Sequence, residues 1–562
     1  MSAYDLESIE LPKLNGTLLK VFSSALANPL SRAALIGPLL KSGGILKLRT
    51  LRPSEPPTLY PLAFQQDPDA KPIQPEALAG YVDQKPHQGP FCSIQEYSQA
   101  YRTGAITPQD IAENVQQAIQ ESDRHNPPLR AFIANNWEDV QAQAKASSKR
   151  IKAGQPLSIL DGVPVAVKDE VDQTPYPTTA GTSFLGAIPA SQDSSVVARL
   201  RAAGALLIGK ANMHEIGINP NGSNVHYGMA RNPYDLSRDT GGSSSGPAAS
   251  VAAGICPVAI GADGGGSIRI PSSLCGLVGL MSTFGRVSEF GAAPLCWSVG
   301  HLGPIGATVE DVALTYAAIA GPDPRDPNTL HQPQPGIAGW NNADLSGITL
   351  GVYPAWFKHA TPQVVSACEA LLEKLVQAGA KTREIEIPEL NSMRIAHVIS
   401  ILAEMAASMQ NYRQHLAEFG DSVKVTLTLG QVFTSGDYLL AQRIRTRAMG
   451  IFNEVLREVD VIVTPATAMT APKIPVSDLH AGWSDMSVDT EMMRYVFPGN
   501  LTGLPAIAFP AGYDQQGLPI GMQVMGRPWE EKKLLQIAYA AEQVVDRKLP
   551  ELYYKILANV RY

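Results

Sequence analysis

The sequence predicts an α/β protein, with helices covering a large mixed sheet. Two observations carry this. Short β-branched or apolar runs at Val163–Val167 (VPVAV), Ala205–Gly209 (ALLIG) and Ile255–Ile260 have the length and make-up of buried strands. Between them, SSVVARLRAAG (residues 194–204) and Pro247–Ala253 repeat their apolar residues at helical spacing. Strands that alternate with helices belong to the α/β layer architectures. The chain of 562 residues is 44% hydrophobic and 17% charged, ordinary for a globular enzyme. A formal charge of −7 argues against nucleic acid as a partner.

Taken in order, the chain divides into residues 1–90, a basic and then proline-rich N-terminal region, and residues 91–562, the main domain. Residues 11–53 hold seven basic side chains (Lys13, Lys20, Arg32, Lys41, Lys47, Arg49, Arg52) and no acidic one. Pro29, Pro38 and Gly43-Gly44 read as breaks between short amphipathic helices. These either pack on the body or rest on a membrane surface. The longest apolar run there, Ala33–Leu40, is far short of the roughly 20 residues that span a bilayer. The acidic DLESIE at residues 5–10 suits neither a signal nor a transit peptide. The expectation is a cytoplasmic or peripheral membrane protein. Residues 53–90 read as an extended arm.

Thr107 caps a helix that starts at Pro108, with Asp110 completing a capping box and Ile111, Val115, Ala118 and Ile119 on one face. Trp137–Ala153 is a second helix, and Asp193–Gly204 a third. Thr308–Ala320 and Thr361–Ala378 are further helices, the latter followed by the strand-like REIEI (residues 383–387). Residues 392–450, rich in Met, Leu and Ala, are helical. A Met or Leu stripe at helical spacing is more often plain core than a channel wall. Five widely spaced cysteines (Cys92, Cys256, Cys275, Cys296, Cys368) form no CxxC pair and suit buried thiols in a reducing compartment. His214-Glu215 lacks a second histidine at metal-site spacing, so neither metal nor cofactor is expected.

The chemistry concentrates in Gly241–Pro271, where GGSSSG and GADGGGS flank a helix and a strand. Phosphate-loop spacing is missing. Gly242–Gly246 matches GxSxG, which would make Ser244 a nucleophile, but no strand precedes it as that motif requires. A serine nucleophile with a lysine base remains, alongside a structural role for the glycines. Lys168 ends the Val163–Val167 strand, and the carboxyl ends of parallel strands are where ligands bind.

DGVPVAVKD, GGSSSGPAASVAAG, GADGGGSIRIPSSLCGLVGL, TFGRVS, DVIVTPATAMTAPKIP and NLTGLPAIAFPAGYDQQGLPIGMQVMGRP together resemble the amidase signature family. The resemblance runs across residues 95–545 and implies the amidase signature fold. It makes Ser267 the nucleophile, Ser243 a bridging serine on a cis Gly242–Ser243 peptide, and Lys168 the base. The turn Gly264, Gly265, Gly266 and Ser267 would supply oxyanion donors. Asp263 and Arg269 would support that turn. Ser244 would either join the network or cap the helix, and Gly217 would lie near the bridging serine. Ser245, Ala262 and Met281-Ser282 depart from the commoner pattern, and the change at Ser245 alters the helix start.

Within the family, LPKLNG, IGPLLKS, GGSSSG and DGGGS resemble the plant-type fatty acid amide hydrolases. That implies a homodimer that cleaves lipid amides such as N-acylethanolamines to a fatty acid and an amine through an acyl-enzyme. The alternatives are an amidase for small amides, a glutamyl-tRNA amidotransferase-like protein, and a non-catalytic lipid-binding scaffold. A serine hydroxyl attacks only when a neighbouring base takes its proton, and a lysine serves as base only when neutral.

Overall fold

Strands whose residues are apolar on both faces need cover on both faces, and helices supply it here. In the computed structural model, which describes residues 4–8, 13–65, 67–83, 89–475 and 482–557, eleven strands form one mixed sheet. In chain order they are β1 (Phe132–Ala134), β2 (Pro164–Lys168), β3 (Leu206–Ala211), β4 (Val258–Ala262), β5 (Val278–Met281) and β6 (Leu302–Gly306), followed by β7 (Thr349–Val352), β8 (Lys381–Glu384), β9 (Val461–Pro465), β10 (Ala506–Tyr513) and β11 (Pro519–Gly526). Their order across the sheet is β8-β7-β9-β11-β10-β5-β6-β4-β2-β3-β1. β2 runs parallel to both β3 and β4, with Val165 opposite Val258 and Val167 opposite Ile260. Strands β5 and β6 join the two halves by antiparallel pairing.

Every residue of β2, β3 and β4 is buried. β8, at one edge, is the opposite case: Lys381–Glu384 is charged or polar throughout and exposed, which discourages edge-to-edge pairing with another chain. The strand-like REIEI is therefore a strand only in its first two residues. Ile385 and Ile387 turn inward to a second core beneath the helices Leu390–Ser408 and Ser435–Glu458.

The helices with local start signals lie where the sequence puts them. Thr107 and Asp110 form a reciprocal capping box ahead of Pro108–Ser122, and Thr308 and Asp311 do the same for Val309–Ile319. The helix Ser195–Ala202 is capped by Ser194, while Asp193 pairs with Arg201. The strand expected at Ile255–Ile260 runs instead from Val258 to Ala262, since Ile255 and Cys256 complete the turn after the preceding helix.

At the N-terminus, α1 (Gly16–Ala27) and α2 (Pro29–Ser42) lead into a short third helix, Ile45–Leu48. Pro38 does not break α2. Ala34, whose carbonyl Pro38 cannot serve, is exposed, so water can take that bond. Arg49 grips Asp437 with two bonds of 2.8 and 2.9 Å, and Arg447 grips Glu55 with bonds of 2.9 and 3.0 Å, fixing this segment along Ser435–Glu458. Residues 11 and 12 of the basic stretch, and residues 66 and 84–88 of the arm, lie outside the described residues. No helix among the described residues is long and apolar enough to cross a membrane.

Helix α3 (Ser245–Ala252) stands against β2, β3 and β4 and carries no exposed residue. Its second residue sets how closely it approaches. A Cβ on Gly246 would meet Ala131 O and Asn212 N, both at 2.3 Å, and these are backbone atoms with no side chain to move aside. Gly246→Ala is expected to cost at least the roughly 3 kcal/mol at the top of the usual overpacking range. Urea unfolding monitored by far-UV circular dichroism would measure it.

Candidate active site

Because β2 and β4 are parallel neighbours, Lys168 and Ala262 end on the same edge of the sheet. Lys168 is almost fully buried there. Its Nζ donates to Ser243 Oγ at 2.8 Å and to Ala262 O at 3.3 Å, and lies 3.3 Å from a Glu170 carboxylate oxygen. The Gly242–Ser243 peptide is cis. The turn after β4 carries Ser267 into the helix α4 (Arg269–Leu274). Lys168, Ser243 and Ser267 line one cavity, with about 110 Å³ open to water-sized molecules. Lysine and both serines named from the sequence thus meet in one place.

The turn itself is held from below. Asp263 accepts the Gly266 N–H at 2.5 Å and the Ile268 N–H at 3.2 Å. That commits one of the four residues named as oxyanion donors, while among the described residues the N–H groups of Gly264, Gly265 and Ser267 have no partner. Gly266 sits at φ 111°, a conformation open to glycine, with Val496 against it. Arg269 bonds both Asp263 carboxylate oxygens, at 3.0 and 3.2 Å, and also Asn500, Gln523 and the Val496 carbonyl. Burial alone would push the Asp263 carboxyl up, but the Arg269 guanidinium and the Asn500 and Gly266 bonds hold it well below the usual carboxylate range.

Ser244 does not cap α3. Its hydroxyl donates to Ala262 O at 3.1 Å and accepts from Ala262 N at 3.3 Å, clamping the helix start to the end of β4. Gly217 lines the cavity, and a Cβ there would stand 3.2 Å from Ser243 Oγ, so only a bare backbone leaves that hydroxyl free.

Sequence reasoning missed several residues that the fold brings here. His397 Nε2 bonds the Gly264 carbonyl at 2.8 Å, and because a carbonyl only accepts, the ring carries its proton on Nε2. Burial holds the His397 imidazole neutral, with its pKa pushed down to about 4. One and two turns further along the same helix, Ile401 and Met405 form an apolar wall of the cavity. The Met-containing stripe is channel wall as well as core. Its i, i+4, i+8 spacing was visible, but nothing in it pointed to a cavity. Glu170 and Glu289 also line the space.

Asp239 was missed too. One of its oxygens accepts the Gly222 and Gly241 N–H groups, each at 2.9 Å, and so fixes the loop that presents Ser243. Its other oxygen is buried, with no partner among the described residues. Burial pushes this carboxyl up to about 7, against the lowering effect of those bonds. The folded state therefore keeps the proton that the unfolded chain releases near pH 4, and stability falls as pH rises from about 4 to about 7. Asp239→Asn, which can keep both accepted bonds, should be close to the parent at pH 4.5 and gain on it by on the order of 2–4 kcal/mol at pH 8. Urea midpoints for both proteins across that range check this.

Comparisons with known proteins match the chain to amidases. The amidase family model matches residues 113–535. A fatty acid amide hydrolase of Oryza sativa subsp. japonica is 41% identical, over 99% of this chain and 96% of its own. A glutamyl-tRNA(Gln) amidotransferase chain from Cyanothece sp. is 34% identical, over 81% of this chain and 98% of its own. Among solved structures, the peptide amidase of Stenotrophomonas maltophilia superposes with a TM-score of 0.70 at 27% identity, covering 82% of this chain and 98% of that one.

Proposed function

The chain belongs to the amidase signature family, and from that premise we propose that it hydrolyses fatty acid amides, with Ser267 as nucleophile, Ser243 as proton bridge and Lys168 as base. The observation that carries the reading is the 2.8 Å contact between Lys168 Nζ and Ser243 Oγ beside Ser267 in one cavity. A neutral lysine accepts a proton from Ser243 along that contact while Ser243 takes the proton of Ser267. Ser267 then bonds to the amide carbon, and the N–H groups of Gly264, Gly265 and Ser267 are available to the developing oxyanion. The relay returns the proton to the departing nitrogen as the C–N bond breaks. Water, deprotonated by the same relay, releases the fatty acid. The named fatty acid amide hydrolases among its relatives, aligned over nearly the whole chain, and the apolar wall of Ile216, Leu295, Ile401 and Met405, support an acyl chain as the group bound.

One observation favours a second reading, a small-amide amidase: the cavity beside Ser267 is small, with about 110 Å³ open to water-sized molecules. Turnover of amides of increasing acyl length decides between them. Rising kcat/KM up to long chains is expected, and a short-chain optimum would favour the second reading. Ser267→Ala should lower kcat by at least about 10³-fold, and should lose labelling by a serine-reactive fluorophosphonate. A protein that never labels at Ser267 would be a lipid-binding scaffold instead.

Lipid substrates also fit the N-terminus. Leu18, Val21 and Leu30 are exposed on α1 and α2, at 55%, 59% and 86%, beside the exposed Lys20 and Lys41. Exposed apolar side chains on helices that also carry exposed lysines suit an anionic lipid surface. The double variant Leu18→Glu, Val21→Glu is expected to lose most of its co-sedimentation with phosphatidylserine vesicles while hydrolysing a water-soluble amide at the parent's rate.

A further inference from the structure

We propose that Glu289 determines specificity for the amine half of the substrate: its carboxyl, unpartnered on the cavity wall, hydrogen-bonds a hydroxyl or carboxamide carried by the departing amine. The proposal rests on the amidase reading above. Among the described residues, Glu289 is hydrogen-bonded through its backbone alone, its N–H donating to Asp326 at 2.9 Å and its carbonyl accepting from Ala292 at 2.9 Å. Neither carboxyl oxygen has a hydrogen-bond partner among the described residues. A Cβ on Gly300 would stand 2.7 Å from Oε1, so the carboxyl rests against bare backbone that leaves it in place.

The position of Glu289 says which half of the substrate it meets. Ile216, Leu295, Ile401 and Met405 make the apolar wall suited to the acyl chain. Glu289, Gly300 and His301 line the catalytic cavity and also a small neighbouring space bounded by Ser282, Thr283 and Asn328. With the acyl chain on the apolar wall, this side, which carries more polar groups, falls in the proposal to a substituent on the nitrogen.

The chemistry narrows the class of amine. Desolvation, joined by the Asp326, Glu170 and Glu404 carboxylates, pushes the Glu289 carboxyl up to about 8. At neutral pH it is an acid that both donates and accepts, which matches a hydroxyl or an amide better than a cation. The carboxyl is half-buried on the cavity wall, and a substrate hydroxyl or amide that meets it adds a hydrogen bond in a place only partly open to water.

The test compares two amides of one acyl chain, one on 2-hydroxyethylamine and one on ethylamine. The parent should prefer the hydroxyl-bearing amide about tenfold or more in kcat/KM, the worth of one such bond. Glu289→Leu should bring the ratio to near one, Glu289→Gln should keep most of it, and Gly300→Ala, which crowds the carboxyl, should erode it. An equal ratio in the parent, or a ratio unchanged in both Glu289→Leu and Gly300→Ala, overturns the proposal. Binding of the same pair to Ser267→Ala protein reads the contact without chemistry. Absent turnover by the parent, with a tenfold binding preference retained in the Ser267→Ala protein, would then sink the amidase reading and leave the Glu289 contact standing, while no binding preference would sink the contact.

Discussion

A carboxylate and a guanidinium, both cut off from water, hold the turn on which Ser267 sits. Asp263 and Arg269 are fully buried, and such a pair is stable only when its remaining donors and acceptors are used. Here they are. Asp263 takes two N–H groups of its own turn, and Arg269 spreads its planar donors over Asn500, Gln523 and the Val496 carbonyl. Asn500 closes the circle by donating to Asp263 at 2.9 Å. The network ties the turn after β4 to β11 and to the helix Phe497–Thr502. The turn cannot shift without stranding a charge in the core.

The Ser243 loop is held by the same logic with weaker means. Asp239 gathers two backbone N–H groups, Gly242 N–H reaches Pro220 O at 2.6 Å, and Ser243 O accepts from His214 N at 3.1 Å. Helix Leu390–Ser408 closes the site from the far side, with His397 steadying the turn and Ile401 and Met405 facing the cavity. Two turns and one helix, far apart in sequence, are thus locked about a single lysine. Such preorganised donors need little movement when charge develops, which is how an oxyanion site lowers a barrier.

Much of this was legible in the residues. Lys168, Ser243 and Ser267 were singled out by the resemblance of their motifs to a known family, and the capping boxes at Thr107 and Thr308 are local interactions complete within four residues. Ser244 was ambiguous, since a hydroxyl at a helix start caps or clamps according to what lies opposite, and here Ala262 does. Pro38 read as a break because the sequence does not tell that the carbonyl it leaves unserved faces water. REIEI alternates like a strand, yet a neighbour on one side only and a second core nearby stop it at Glu384.

By itself the sequence determined the fold class and the strand that ends in Lys168, because buried-strand composition and helix caps are local properties, and the resemblance of its glycine-serine motifs to a known family singled out the three residues that meet there. Tertiary structure alone decided which groups surround them. Asp239, His397 and Glu289 come from the end of a short strand, a distant helix and a loop, and no spacing relates them to Ser267. Their roles depend on burial and on which polar atoms are left without partners, and those are set only when separated parts of the chain are packed together.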